Sequence, residues 1–285
     1  MNCCNRSATE ALAAALLQGL TAELYLTPKP GLVDLWDNGS HADLSLPKMV
    51  ASIELIGVYF DELTAALAAG AASNELIGLG RIAEERMLAR LATNTHKGAI
   101  FLGGLLLTAS ARATDDQPET LRLAVAAVAT EIIALRTPAA SNGAAARQTY
   151  RVGGILAEAS AGLPCLFDIA LPAWHASITR RADPQRAAFS MLAALMQKVE
   201  DTTALHRCGT AGLERLRRDG RMLELLLARD EDPVPLLQQL NLEYRRSNLT
   251  MGGVADLLGL AFGYLDFLGE PVRISAEQAA TLDSR

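Results

Sequence analysis

The chain of 285 residues carries a formal net charge of −6, is half hydrophobic and has only 5% aromatic residues. This length allows one large domain or two small ones, and the hydrophobic fraction is sufficient for a sizeable core. The negative charge argues against a general binder of nucleic acids or membrane surfaces, so an anionic ligand would need a local basic cluster.

Apolar residues recur with helical spacing along the whole sequence, whereas alternating runs of β-branched residues are absent. No long linker rich in Ser, Gly or Pro divides the chain. We therefore predict an all-α fold, with a single multi-helix globular domain over residues 1–285 and a last segment from about Ile274 that frays. The predicted helices cover residues 6–26, 46–70, 74–91, 96–112, 118–136, 141–160, 184–200, 207–218, 221–229, 234–246 and 251–268.

The cysteines and the apolar runs bear on the location of the protein. The four cysteines, at positions 3, 4, 165 and 208, form no CxxC pair and suit neither a disulfide framework nor a zinc site. The longest apolar run, residues 99–109, is too short to span a bilayer. We therefore expect a cytoplasmic protein with reduced thiols and no membrane association.

The first polar cluster follows the first predicted helix. Two prolines flank Lys29 and stiffen the loop around it. Three acids, a histidine, an asparagine and a serine then fall within residues 34–43. A polar loop that caps the next helix would explain this composition, but so many ionisable groups in one loop favour a functional site.

Glu84 lies on the apolar face of the predicted helix 74–91, whereas Glu85 and Arg86 point away from that face. A carboxylate on a buried face needs a cation, a metal ion or a hydrogen-bond donor. A structural ion pair with a neighbouring helix, a metal ligand and a general base all satisfy this requirement.

The pentapeptide Asn94-Thr95-His96-Lys97-Gly98 directly precedes an apolar run. Thr95 can act as an N-cap, which leaves the N–H groups of the next turn free. Lys97 adds positive charge there, and Gly98 would let a ligand approach the backbone. The pentapeptide therefore predicts an anion-binding helix start, and the alternative is a capped surface helix with an incidental lysine.

Another polar cluster, residues 200–207, follows an apolar helix. Asp201 is suited to hold Mg²⁺ through oxygen or to cap a helix. Arg207, next to His206, is suited to clamp a phosphate or to remain solvated.

The last polar cluster opens the final predicted helix. Arg245 and Arg246 come shortly before Asn248 and the pair Gly252-Gly253. Two glycines in a first turn indicate close approach of the backbone to a ligand or to another helix.

These clusters, in this order, resemble the triphosphoribosyl-dephospho-coenzyme A synthase family over roughly residues 20–268. The first two motifs and the pentapeptide are closer to its citrate lyase branch than to its malonate decarboxylase branch. The approach to the pentapeptide, at Ala92-Thr93, is shorter than is usual in the family. The motifs that carry the resemblance are Pro28-Lys29-Pro30-Gly31-Leu32-Val33-Asp34, Asn38-Gly39-Ser40-His41-x-Asp43, Gly80-x-x-Ala83-Glu84-x-x-Met87, Asn94-Thr95-His96-Lys97-Gly98-Ala99-Ile100, Asp201-Thr202 with His206-Arg207, and Asn248-Leu249 with Gly252-Gly253-x-Ala255-Asp256.

The resemblance implies a transferase that joins the triphosphoribosyl moiety of ATP to the 2′-hydroxyl of 3′-dephospho-CoA and releases adenine. The product would supply the prosthetic-group precursor of citrate lyase or malonate decarboxylase. ATP and 3′-dephospho-CoA would be the substrates, Mg²⁺ the expected metal, and a homodimer an open assembly state. A related ATP-dependent ribosyl or phosphoribosyl transferase with another acceptor, and a non-catalytic nucleotide-binding helical protein, remain as alternatives.

This chemistry assigns roles to the polar clusters. Glu84 is the first choice for a general base, and His96 would protonate the departing adenine or bind phosphate. Asp201 completes the candidate catalytic set. The candidate metal ligands are Asp34, Asp43, Glu84 and Asp201. The candidate substrate- and phosphate-binding residues are Lys29, Ser40, His41, Asn94, Thr95, Lys97, Gly98, His206, Arg207, Arg246, Asn248, Gly252 and Gly253.

Overall fold

Twelve α-helices and no strands are formed by the residues that the computed structural model describes, which are 3–93, 95–115, 117–135, 141–270, 272 and 274. A short π-helical turn, Cys165–Ala170, leads into α8. The prediction of an all-α fold is confirmed. The helices are α1 (Cys3–Tyr25), α2 (Leu46–Ala68), α3 (Ser73–Leu91), α4 (Lys97–Arg112), α5 (Pro118–Leu135), α6 (Asn142–Tyr150), α7 (Gly154–Ser160), α8 (Leu171–Arg181), α9 (Pro184–Lys198), α10 (Thr202–Ala228), α11 (Val234–Ser247) and α12 (Gly252–Phe267).

Three parts of the predicted helix pattern are wrong. The predicted helix 141–160 is two helices, because Arg151 and Gly154 both have a φ of +55° and interrupt the helical backbone. No helix was predicted over residues 165–181, where Pro172 suggested a break. That proline lies at the start of α8, where a proline costs no hydrogen bond.

The third error concerns α10, which replaces two predicted helices and begins five residues earlier than expected. It continues through Gly220, since that glycine serves close packing and does not end the helix. A Cβ there would lie 2.8 Å from the carbonyl oxygen of Ala193 on α9. The backbone departs from helical geometry instead at Gly209, with a φ of +63°.

Helices α1 and α12 pack against each other with almost no space between their backbones. A Cβ on Gly19 would lie 2.2 Å from the backbone nitrogen of Gly263, and one on Gly263 would lie 2.6 Å from the Cα of Leu16. Farther along α1, Glu23 faces Gly259. The pairing runs in opposite directions along the two helices, so they are antiparallel, and the end of α1 lies beside the first half of α12.

One apolar core joins eleven of the twelve described helices, and α6 contributes to a smaller cluster around Ala146, Leu205 and Leu213. Within the described residues, no single helix is both long and apolar enough to cross a bilayer. The pair 154–160 and 165–181, bent by 85°, has the required length and composition only when taken together.

The segment 26–45, which we call the docked loop, is held against α11 and the turn that precedes α12. The backbone N–H of Gly31 donates to the Asn241 side chain at 2.9 Å, and the Thr250 hydroxyl donates to the Gly31 carbonyl at 2.8 Å. Asn241 also donates to Asp37 at 2.9 Å. Gly31 has a φ of +71°, and a Cβ there would lie 2.4 Å from a carbonyl oxygen, so only glycine fits.

Replacing Gly263 with alanine is expected to lower the free energy of unfolding by about 1–3 kcal/mol or more, because the added methyl group forces α1 and α12 apart. The midpoint of urea denaturation measures this change. Gly78→Ala is the matched control, since Gly78 lies in a helix and a Cβ there would meet nothing within 4 Å. That substitution is expected to be neutral or to stabilise the protein by up to about 1 kcal/mol. Equal effects of the two substitutions would contradict the packing argument.

Candidate active site

One buried carboxylate caps two helices. Asp201 is fully buried, and its Oδ1 accepts the backbone N–H groups of Thr203 and Ala204 in α10, both at 2.9 Å. Its Oδ2 accepts the N–H of Val254 at 3.0 Å, and the N–H of Gly253 in α12 also donates to the carboxylate. Burial raises the pKa of Asp201, while the four N–H donors favour its ionised form. The capping role considered for Asp201 in the sequence is therefore the observed one.

The glycine pair at the start of α12 serves this contact between helices. A Cβ on Gly252 would lie 2.9 Å from the Thr203 hydroxyl, and one on Gly253 would lie 3.2 Å from Oδ2 of Asp201. Of the two explanations left open by the sequence, close approach of another helix is the one that these distances support.

Asp256 extends the same arrangement to α4. Its carboxylate lies so close to Gly98 that a Cβ on that glycine would be 1.8 Å from Oδ2. The N–H of Ala99 donates to it. The space beside Gly98, which was expected to admit a ligand, is therefore taken by Asp256. Burial raises the pKa of Asp256 to about 8, with further contributions from the charges of Asp201 and Glu23.

Lys29 forms a buried ion pair with Glu23 at the end of α1. Its ammonium lies 2.7 Å from Oε1 of Glu23 and also donates to the carbonyl oxygen of the same residue. The two side chains are 0% and 5% exposed. Burial raises the pKa of Glu23, and the lysine opposes that shift. The charge of Lys29, expected to bind phosphate, is thus already paired inside the protein.

His96 is the N-cap residue of α4, a position that the sequence assigned to Thr95. The Thr95 hydroxyl donates instead to the sulfur of Met87 at 3.3 Å. Nδ1 of His96 lies 2.5 Å from the hydroxyl of Ser52, while Nε2 is buried without a hydrogen-bond partner among the described residues. Burial, together with the nearby charge of Lys29, lowers the pKa of His96 to about 4. The ring is therefore neutral at physiological pH.

Glu84 and Lys97 join α3 to α4 through an ion pair of 2.8 Å. Their side chains are 23% and 44% exposed, so both remain accessible to a ligand. Of the alternatives raised for Glu84, the ion pair is the contact observed. An exposed pair of this kind contributes little to stability, on the order of 0–1 kcal/mol.

Arg207 holds the docked loop. Its guanidinium donates to the carbonyl oxygen of Ser40 at 2.6 Å, to the side chain of Asn248 at 3.1 Å and to Nδ1 of His41 at 3.2 Å. Nε2 of His41 in turn lies 3.0 Å from the Thr250 hydroxyl. Burial and the charge of Arg207 lower the pKa of His41 to about 4. These residues anchor the loop, and most N–H donors of the Arg207 guanidinium are engaged by groups of the protein itself.

The four carboxylates proposed as metal ligands do not come together. Asp34 accepts three backbone N–H groups of its own loop, and Asp43 accepts the Thr93 hydroxyl at 2.9 Å. Glu84 and Asp201 are engaged as described above. Within the described part of the chain, no group of three or more His, Cys, Asp or Glu residues has an arrangement that could hold a metal ion. The described residues thus offer no cluster of this kind to a resident Mg²⁺.

Two further predicted residues lie outside this network. His206 and Arg246 are exposed on the surface. Asn94 lies outside the described residues.

Three residues of the site were not assigned a role from the sequence. Glu23 and Asp256 each stand within an apolar helix, and a carboxylate in such a place is a signal in itself. Ser52 gave no such signal, because a small polar residue is ordinary on an amphipathic helix.

Comparison with known proteins identifies relatives along nearly the whole chain. The family described as ATP:dephospho-CoA triphosphoribosyl transferase matches residues 9–275. A protein of Pseudomonas fluorescens is 36% identical over 88% of this chain and 89% of its own length, and one of Azotobacter vinelandii is 35% identical over 93% and 95%. A Vibrio cholerae protein is 32% identical over 83% and 81%. Each is named as a probable 2-(5″-triphosphoribosyl)-3′-dephosphocoenzyme-A synthase. No solved structure matches the chain significantly.

Asp201→Asn is expected to lower the free energy of unfolding by about 1–3 kcal/mol, because the new amide group turns N–H towards the N–H groups of α10 or α12. Thermal or urea denaturation measures the loss. Asp183→Asn is the matched control, since Asp183 caps only α9, with one oxygen on the N–H of Arg186. Asparagine is an equally good cap there, so little change is expected. A negligible effect at Asp201 as well would refute the double cap.

Proposed function

We infer the reaction from the family, because the chain belongs to the ATP:dephospho-CoA triphosphoribosyl transferases. The chain transfers the triphosphoribosyl group of ATP to dephospho-CoA, with release of adenine. The match over residues 9–275 carries this conclusion. The supply of a prosthetic-group precursor to citrate lyase or malonate decarboxylase is consistent with the family, and the citrate lyase branch stays a prediction.

The reaction needs one proton acceptor and one proton donor. The bond from the ribose anomeric carbon of ATP to N9 of adenine breaks, and a bond from that carbon to the acceptor hydroxyl oxygen forms. The hydroxyl loses a proton, and adenine takes the electron pair of the broken bond and gains a proton. A positive charge develops on the ribose as the bond breaks, so positioned acid and base groups accelerate the step.

His96 and Asp256 are our proposed acceptor and donor. The His96 ring is neutral and its Nε2 has no partner among the described residues, which suits an acceptor. Asp256 holds a proton at neutral pH, which suits a donor. Both groups lie at the first turn of α4, since His96 is its N-cap and Asp256 bonds the N–H of Ala99. After transfer, His96 carries the extra proton and Asp256 lacks one, and exchange with solvent restores both.

This assignment changes the roles expected from the sequence. With a pKa of about 4, His96 is a poor donor to adenine at neutral pH, so it becomes the acceptor. Asp201 acts as the cap that positions α12. Glu84 and Lys97 form an accessible ion pair at the N-terminus of α4. There, Lys97 and the positive end of the helix favour a phosphate group.

Other features of the reaction remain proposals. We propose Mg²⁺ only as a counter-ion carried by ATP, because the four candidate carboxylates are otherwise engaged. The cytoplasm is the proposed location, since Cys165 and Cys208 are free thiols, as in a reducing compartment. The homodimer stays a prediction, which sedimentation velocity would decide.

Incubation of the purified chain with ATP and 3′-dephospho-CoA is expected to release adenine and form an equal amount of triphosphoribosylated product, measured by chromatography and mass spectrometry. A 2′-deoxy analogue of the acceptor should give no product. Product with another hydroxyl compound alone would favour the transferase with a different acceptor. Binding of ATP without adenine release under any of these conditions would favour the non-catalytic alternative and refute the proposal.

The same assay tests whether the accessible ion pair of Glu84 and Lys97 is needed for activity. Glu84→Gln and Lys97→Ala are each expected to lose most activity while the melting temperature stays close to that of the wild type. Glu85→Gln is the control, because Glu85 forms an exposed pair with Arg81 on the same helix. Wild-type adenine release by Glu84→Gln would remove Glu84 from the proposed site.

The dependence of kcat on pH tests the donor. Activity is expected to fall as the pH rises through about 8, where Asp256 loses its proton. Asp256→Asn should lower kcat by about 10²–10⁴-fold, the usual contribution of a general acid, and should abolish this decline. Asp266→Asn, at the other end of α12, should keep both the rate and the decline. An unchanged profile in Asp256→Asn would exclude Asp256 as the donor.

A further inference from the structure

The tautomer of the His96 ring depends on a serine from a different helix. Ser52 lies on α2 and is 0% exposed. Its hydroxyl donates to the carbonyl oxygen of Met49 at 2.8 Å, and the same oxygen lies 2.5 Å from Nδ1 of His96. The serine therefore stands between the backbone of α2 and the imidazole at the start of α4.

These two contacts favour one position for the proton of the His96 ring. A serine hydroxyl has one hydrogen to donate, and here that hydrogen is directed to Met49. With its hydrogen donated to Met49, the hydroxyl oxygen accepts from His96, which places the proton of the neutral ring on Nδ1. Nε2 is left with a free lone pair, in agreement with its lack of any partner among the described residues.

The groups around the ring support the same state. The docked loop brings Lys29 near His96, and that positive charge opposes a second proton on the ring. Glu23 of α1 pairs with Lys29, so the lysine is held in place. From α4 itself, the Thr95 oxygen lies 3.4 Å from Nδ1, which is a much weaker contact than that of Ser52.

We propose that Ser52 is a positioning residue that keeps the proton of His96 on Nδ1, so that Nε2 takes the proton of the acceptor hydroxyl as the new glycosidic bond forms. The identity of that hydroxyl rests on the proposed function, whereas the position of the ring proton does not. Nε2 is covered in the free chain. The hydroxyl therefore reaches it after local movement, as is common for catalytic hydrogen bonds that form only with substrate.

Nitrogen NMR of the chain labelled with ¹⁵N-histidine tests the position of the proton without any substrate. Only four histidines are present, and the His96→Gln variant assigns the resonances of His96. In the wild type, Nδ1 is expected to carry the proton and Nε2 to be unprotonated at neutral pH. In Ser52→Ala, the resonances should move towards the Nε2-protonated form, which prevails in water.

Enzyme kinetics test whether the position of the ring proton affects catalysis. Ser52→Ala is expected to lower kcat by about 10–100-fold, the usual effect of losing an orienting partner, with little change in KM for ATP. Ser52→Thr keeps the hydroxyl and should restore most of the rate. Ser177→Ala is the control for loss of a buried serine, since Ser177 lies on α8 and its hydroxyl accepts a hydrogen bond from Ser190 on α9.

A proton on Nε2 in the wild type would overturn the proposal, even if Ser52→Ala does not fold. So would a folded Ser52→Ala variant with an unchanged His96 tautomer. An unchanged kcat in that variant would remove the link to catalysis. If the wild type releases no adenine, the proposed function fails, and the NMR result still decides the role of Ser52.

Discussion

The hydrogen bonds from four backbone N–H groups to one buried carboxylate organise the whole site. Asp201 brings the N-termini of α10 and α12 together, and α12 carries Asp256, which bonds the first turn of α4. Two aspartates thus bind three helix N-termini, where partial positive charge favours an anion. Because α4 begins with His96 and Lys97, the proposed acceptor, the proposed donor and the accessible cation all depend on this contact.

The charged groups around Asp256 connect this arrangement of helices to acid–base chemistry. The charges of Glu23 and Asp201 both act on Asp256, and Lys29 is the cation that pairs with Glu23. Helix N-termini compensate Asp201, but Asp256 receives a single N–H and retains its proton near neutral pH. Closely spaced carboxylates separate in pKa in this way, and such separation creates acid and base roles. In the proposed mechanism, this separation makes Asp256 the proton donor.

Most of the fold could be predicted from the sequence, because helical periodicity is local. The errors at α8 and α10 arose where Pro172 and Gly220 have packing roles that only tertiary contacts reveal. The clusters of the site were also visible, but their roles were not. Gly98 serves Asp256, and Ser52 meets His96, in each case across a large separation in sequence. Partners of that kind are set by the packing of helices and leave no pattern in a single chain.

The glycine contact between α1 and α12 joins the first of the described helices to the last. During synthesis on the ribosome, the face of α1 that packs on α12 stays uncovered until α12 has been made. The core is thus closed by contacts that are very distant in sequence, which slows folding and prolongs exposure to aggregation and to chaperones. Glu23 and Asp256 come from these same two helices, so a chain that stops before α12 lacks Asp256 and the N–H groups that α12 offers to Asp201. The packing of α12 against α1 therefore completes the core and the site in one step.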